Sequence, residues 1–148
     1  MLPAMQDYPH HYRARASAGP VGDVEIASPA LPTLASGPPP EFGGAGGQWS
    51  PETLLVASVA DCFILTFRAV ARASKLEWRG LTADIEGRLE KVDRVTRFTG
   101  YTLKAVLTVP PGTDAARAKS LLEKAEHGCL ISSSLNAPVA LDCSIVEG

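Results

Sequence analysis

Three cysteines, Cys62, Cys129 and Cys143, are the residues of this chain whose type could carry covalent chemistry. A thiolate is a nucleophile and a metal ligand, and its availability depends on the groups around the sulfur. Cys62 stands in the apolar run Val59-Ala60-Asp61-Cys62-Phe63, and its first reading is a small core residue. Cys129 follows Gly128 and opens Cys129-Leu130-Ile131-Ser132, where the backbone N–H groups of a following turn can stabilise a thiolate. Taken alone, the Cys-x-x-Ser spelling has little specificity. Cys143 shares its strand parity with Val139, Leu141 and Ile145 and is expected on a core face. His127 and the adjacent His10-His11 raise the question of a metal. Zinc takes about four ligands at characteristic spacings, and three scattered cysteines with three histidines do not supply them, so no metal is expected. His127 is instead placed at a helix C-terminus, where partial positive charge is favourable. The Gly43–Gly47 run lacks the Gly-Lys-Ser/Thr ending of a phosphate loop.

The elements around these residues follow from periodicity. Ser50-Pro51-Glu52 is a helix start, with a capping serine, a proline at the first helical position and an acid facing the positive end of the dipole. Residues 52–74 then run without Gly or Pro and are apolar nearly all round, so this helix must be buried on most sides. Leu81 to Glu90 and Tyr101 to Val109 alternate with a period of two, and Lys91 to Gly100 is read as their hairpin connection. Thr113 is expected to cap a helix over 114–127 that Gly128 stops. A short turn over 130–135 and a strand over 139–146 close the chain. Tyr8–Ser17 and Val21–Ser28 suggest a short N-terminal hairpin, and Pro29–Gln48, with Pro38-Pro39-Pro40 and its glycines, is read as a long loop. Strands, buried helix, strands, helix, strand fit an α+β domain with an antiparallel sheet packed on helices.

With 148 residues the chain is expected to form a single domain over residues 1–148. A net charge of −2, and the absence of any Lys or Arg between Ala16 and Phe67, argue against nucleic-acid binding. The apolar run Leu54–Phe67 is interrupted by Asp61 and is shorter than the roughly 18–20 residues of a membrane span, so no membrane partner is expected. Without a signal-peptide pattern or a disulfide framework, a reducing cytoplasm is the expected compartment.

The run Pro40-Glu41-Phe42-Gly43-Gly44, then Ser50-Pro51-Glu52-Thr53-Leu54-Leu55, Ala57 and Ala60-Asp61-Cys62-Phe63, resembles the central signature of the OsmC/Ohr family of thiol peroxidases. Ala125-Glu126-His127-Gly128-Cys129-Leu130-Ile131-Ser132 looks like that family's second-cysteine motif, usually Cys-Pro-x-Ser. The resemblance covers nearly the whole chain. It implies an intertwined homodimer, with antiparallel sheets wrapped around long central helices, that reduces organic hydroperoxides without a cofactor. Cys62 would be the peroxidatic thiolate, Cys129 the resolving thiol, and an external dithiol, often a lipoyl group in the family, the reductant. Glu52 matches the family's active-site glutamate. Ten helical residues span about 15 Å, so Glu52 would serve Cys62 only from a partner chain. The arginine that the family uses to activate the thiol has no counterpart between Ala16 and Phe67. Arg13 and Arg15 are the candidate cations, with Arg68, Arg72 or a helix dipole behind them, and without one Cys62 would titrate close to an ordinary cysteine. A second reading of the same motifs is an OsmC-like protein that responds to oxidants or binds a small apolar ligand with little peroxidase turnover.

Overall fold

The computed structural model describes residues 5–148. It divides into two compact units, Met1–Thr53 and Leu54–Gly148.

The first unit is built on three short antiparallel strands, β1 (Arg15–Ser17), β2 (Val24–Ala27) and β3 (Leu34–Ser36), in the order β1-β2-β3. Ala16 pairs with Ile26 and Val24 with Ser36. The first two strands are the expected hairpin. The third lies within the stretch read as a loop, because three residues give too short an alternation to recognise. The Gly37 N–H donates to the Trp49 carbonyl at 3.0 Å, which ties β3 to the chain that leads into the long helix.

That helix, α1 (Pro51–Ala73), starts where the sequence indicates. The Thr53 N–H donates to Ser50 Oγ at 3.2 Å while the Ser50 N–H donates to Thr53 Oγ1 at 2.9 Å, a reciprocal cap that satisfies two otherwise orphan donors. α1 is long and apolar enough to cross a membrane, contrary to the expectation drawn from the run broken by Asp61. The helix carries apolar residues beyond that run, and Asp61 sits on an exposed face. Its stripe Val59, Phe63, Phe67 and Ala71 is fully buried in the core, but most of its remaining apolar surface is not, so the expected burial on most sides is not met within this chain alone.

In the second unit β4 (Gly80–Val92) and β5 (Val95–Val109) form one long antiparallel hairpin. The ladder continues through the residues expected to connect the strands. Asp93 and Arg94, at φ 50° and 68°, make the turn alone, in the left-handed conformation that matches strand twist. A bulge between Arg88 and Leu89 lets the arms keep pairing beyond Gly100. α2 (Ala115–His127) is capped by Asp114, whose Oδ1 accepts from the Ala116 and Arg117 N–H groups, and not by Thr113, whose hydroxyl donates to the Pro110 carbonyl. A single turn, α3 (Leu130–Ser133), leads to β6 (Val139–Glu147).

β6 corrects the antiparallel expectation. It pairs with β5 in parallel, with Ala105 opposite Cys143. The intervening helices form a crossover that returns the chain in the same direction, and a parallel pair requires such a connection. The inward faces of the three strands, with Leu103, Leu107 and Val109, meet Phe63 and Phe67 of α1 and Ala118, Leu122 and Ala125 of α2 in one core. The Phe67 and Trp78 rings pack edge to face at 5.3 Å.

Candidate redox site

α1 carries Cys62 at its middle, half-buried, and the stop of α2 carries Cys129 fully buried. Cys129 is the residue immediately before α3. Its N–H donates to the Glu126 carbonyl at 3.2 Å, and its own carbonyl accepts from the Ser133 N–H at 3.1 Å. This turn sets Cys129 and the backbone N–H groups of Leu130 and Ile131 near the sulfur of Cys62, close enough for each thiol to influence the other's titration. Both are reduced. Of the residues singled out from sequence, the structure therefore brings Cys62 and Cys129 together.

The electrostatics of the pair are asymmetric. Burial raises the Cys62 thiol, but the Ile131 N–H, the Cys129 thiol, the Thr66 hydroxyl and the Leu130 N–H together outweigh it and hold Cys62 below its ordinary value. Cys129 is pushed up, first by burial and further by Cys62, against hydrogen bonds from Ser132. This lowering arises without an arginine. Backbone dipoles and two side chains, all from this unit, favour the thiolate in place of a cation. Such an arrangement suits one thiol to attack and the other to stay protonated until it resolves.

Thr66 is the residue that sequence reasoning missed. One helical turn after Cys62, its Oγ1 lies 3.8 Å from Cys62 Sγ and donates to the Cys62 carbonyl at 2.7 Å. A threonine four residues after a helical cysteine is the signal that could have found it. Cys143 is half-buried on the inward face of β6, as its parity requires. Burial raises its thiol, against Lys119 and with Glu123 and Asp142. His127 ends α2 on the exposed surface. Among the described residues no group of three or more His, Cys, Asp or Glu side chains is placed to hold a metal.

Glu52, Arg13 and Arg15 belong to the first unit. Glu52 lies in the first turn of α1 and borders a cavity of about 490 Å³. Its Oε1 is shut off from solvent and has no hydrogen-bond partner among the described residues. Arg13 and Arg15 are exposed. Ala16 lines the cavity, so alternation along β1 sends Arg15 to the opposite face of the sheet.

Known proteins resemble this chain in both sequence and fold. Residues 44–144 match the family model described as OsmC-like protein. An organic hydroperoxide resistance protein of Xanthomonas axonopodis pv. citri is 33% identical over 122 residues, covering 82% of this chain and 83% of that protein. Peroxiredoxin OsmC of Escherichia coli K12 is 31% identical over 101 residues, covering 68% of this chain and 69% of the relative. The crystal structure of an organic hydroperoxide resistance protein OsmC from Legionella pneumophila superposes with a TM-score of 0.74 at 28% identity, over 95% of this chain and 99% of that one. A match spanning both cysteine motifs, together with relatives above 30% identity and a shared α+β fold, means that this chain belongs to the OsmC-like family.

Proposed function

We propose that this protein reduces organic hydroperoxides through Cys62 and Cys129. The observation that carries the reading is that the turn after α2 sets Cys129 beside Cys62, with Cys62 held below and Cys129 above the ordinary thiol value. The names of the relatives point to the same chemistry. The Cys62 thiolate attacks the distal peroxide oxygen. An S–O bond forms, the O–O bond breaks, and the alcohol leaves with a proton. Cys129 sulfur then attacks the Cys62 sulfenic acid, forming the disulfide and releasing water. An external dithiol, a lipoyl group in this reading, returns two electrons and two protons. No cofactor takes part.

The working unit in this proposal is a homodimer of single OsmC-like domains in the cytoplasm. Only 28% of the most apolar window of α1 is buried within one chain, and Leu65 is 53% exposed, which leaves apolar helix surface for a second copy. Glu52 then acts on the partner's thiol pair, and of the two candidate cations Arg13 is the one left for that two-chain site, because Arg15 lies on the sheet face away from Glu52. The test is a coupled assay with cumene hydroperoxide and dihydrolipoamide on the purified reduced protein. Turnover, loss of two thiols and a mapped Cys62–Cys129 bridge are expected, with Cys62→Ser inactive. A bridge to Cys143, or thiols untouched by the peroxide, overturns the proposal. One observation favours the second reading, an apolar-ligand protein with little turnover, and that is the cavity beside Glu52.

A further inference from the structure

The turn after α2 holds a donor that belongs to the backbone and not to a side chain. Cys129, at φ −70° and ψ 112°, is extended, and Leu130 is the first residue of α3. Cys129 donates its N–H to the Glu126 carbonyl at 3.2 Å, and Ser133 donates to the Cys129 carbonyl at 3.1 Å. The Leu130 N–H between them has no carbonyl acceptor among the described residues, as befits the first turn of a helix. This segment lies against α1 one helical turn beyond Cys62, since a Cβ added at Gly128 would stand 3.6 Å from Thr66 Cγ2. Thr66 Oγ1 is in turn 3.8 Å from Cys62 Sγ. The Leu130 side chain is 65% exposed, so core packing does not account for its place. Where the family's second-cysteine motif usually has proline, which carries no N–H, this chain has a residue that keeps one.

We infer that Leu130 is a positioning residue of the thiol pair through its main chain, its N–H donating to the Cys62 sulfur and favouring the thiolate in a chain without Lys or Arg between residues 16 and 67. This role rests on the proposed thiol chemistry only in taking Cys62 as the reactive sulfur. Burial opposes ionisation of that sulfur. The groups that favour it are the Ile131 N–H, Cys129, Thr66 and, smallest, the Leu130 N–H, and no charged side chain of the described residues is among them.

Leu130→Pro removes the N–H and suits the position, because proline is favoured at the first residue of a helical turn and the residue before it is already extended. Iodoacetamide labelling of Cys62 against pH on the full reduced chain should show the profile displaced to higher pH, with labelling below the pKa slowed about two- to fivefold. Leu130→Ala keeps the N–H and should match the native profile. In amide NMR spectra of the native protein, the Leu130 proton should move downfield as Cys62 ionises, and it should stay still over the same range in Cys62→Ser. An unshifted profile in Leu130→Pro, the same shift in Leu130→Ala, or a Leu130 amide that ignores Cys62 would each overturn the inference. The spectra need no substitution at residue 130, so they decide the matter even where the proline chain does not fold. Neither experiment contains peroxide. A peroxidase assay without turnover therefore leaves the donor standing, and a failed donor test leaves the thiol reaction standing.

Discussion

Replacing Thr66 by valine removes one hydroxyl and keeps the β-branched shape that suits the helix at that point. The hydroxyl lies 3.8 Å from Cys62 Sγ and is one of the groups that hold this thiol below its ordinary value. In the thiol form the Thr66 proton goes to the Cys62 carbonyl at 2.7 Å; when the sulfur is ionised, the hydroxyl can turn and donate to it. A hydrogen bond of this kind contributes about 1 kcal/mol, which is about a fivefold change in thiolate population, so its loss raises the Cys62 pKa. The Ile131 and Leu130 N–H groups remain in place, so the variant should keep part of the depression. Below the pKa, where the thiolate fraction sets the rate, alkylation of Cys62 should slow about fivefold, while the plateau at high pH is unchanged. Iodoacetamide labelling at a series of pH values, read on the Cys62 peptide by mass spectrometry, measures this directly. Thr66→Ser should recover the wild-type profile, because it restores the hydroxyl without the methyl. An unshifted or more acidic profile in Thr66→Val, or a serine variant that behaves like valine, would show that Thr66 does not act on the sulfur.

Gly87→Ala should destabilise the protein by about 1–3 kcal/mol, since an added Cβ would sit 2.7 Å from Val56 Cγ1 and 2.9 Å from Phe98 Cε1. Chemical denaturation that finds no loss would mean that these neighbours yield freely. The alkaline limb of stability carries a second signature. Burial, the largest influence on the Cys143 thiol, raises it above its ordinary 9.0, so its contribution is complete below that pH and is lost as pH climbs through the folded value. Cys62, depressed, gains its contribution as pH rises through its folded value to above 9.0, and this cancels in the difference between the two proteins. The stability difference between the native protein and Cys143→Ala should therefore shrink from pH 9 upward, and a difference that grows with pH would refute the assignment.

Much of this architecture could be read from local pattern. The unbroken apolar run after Ser50-Pro51 determines α1, because cap, first-turn proline and absence of breakers all act within the helix itself. Alternation over Leu81–Glu90 and Tyr101–Val109 determines two strands and their inward faces, since a period of two leaves a half-buried strand few other solutions. The two cysteine motifs singled out Cys62 and Cys129 by resemblance. Tertiary structure decided what depends on distant partners. The parallel seat of β6 on β5 follows from where the α2–α3 crossover delivers the chain, which no alternation within Val139–Val146 encodes. The three-residue β3 exists because β2 offers it hydrogen bonds, not because Leu34–Ser36 has a strand signature of its own. The character of Cys62 is likewise non-local. Its sequence neighbours suggest an inert core thiol or one waiting for an arginine, whereas the N–H groups that lower it arrive from residues 130–131, far along the chain. Electrostatic environment is a sum over neighbours in space, and a one-dimensional pattern records only neighbours along the backbone.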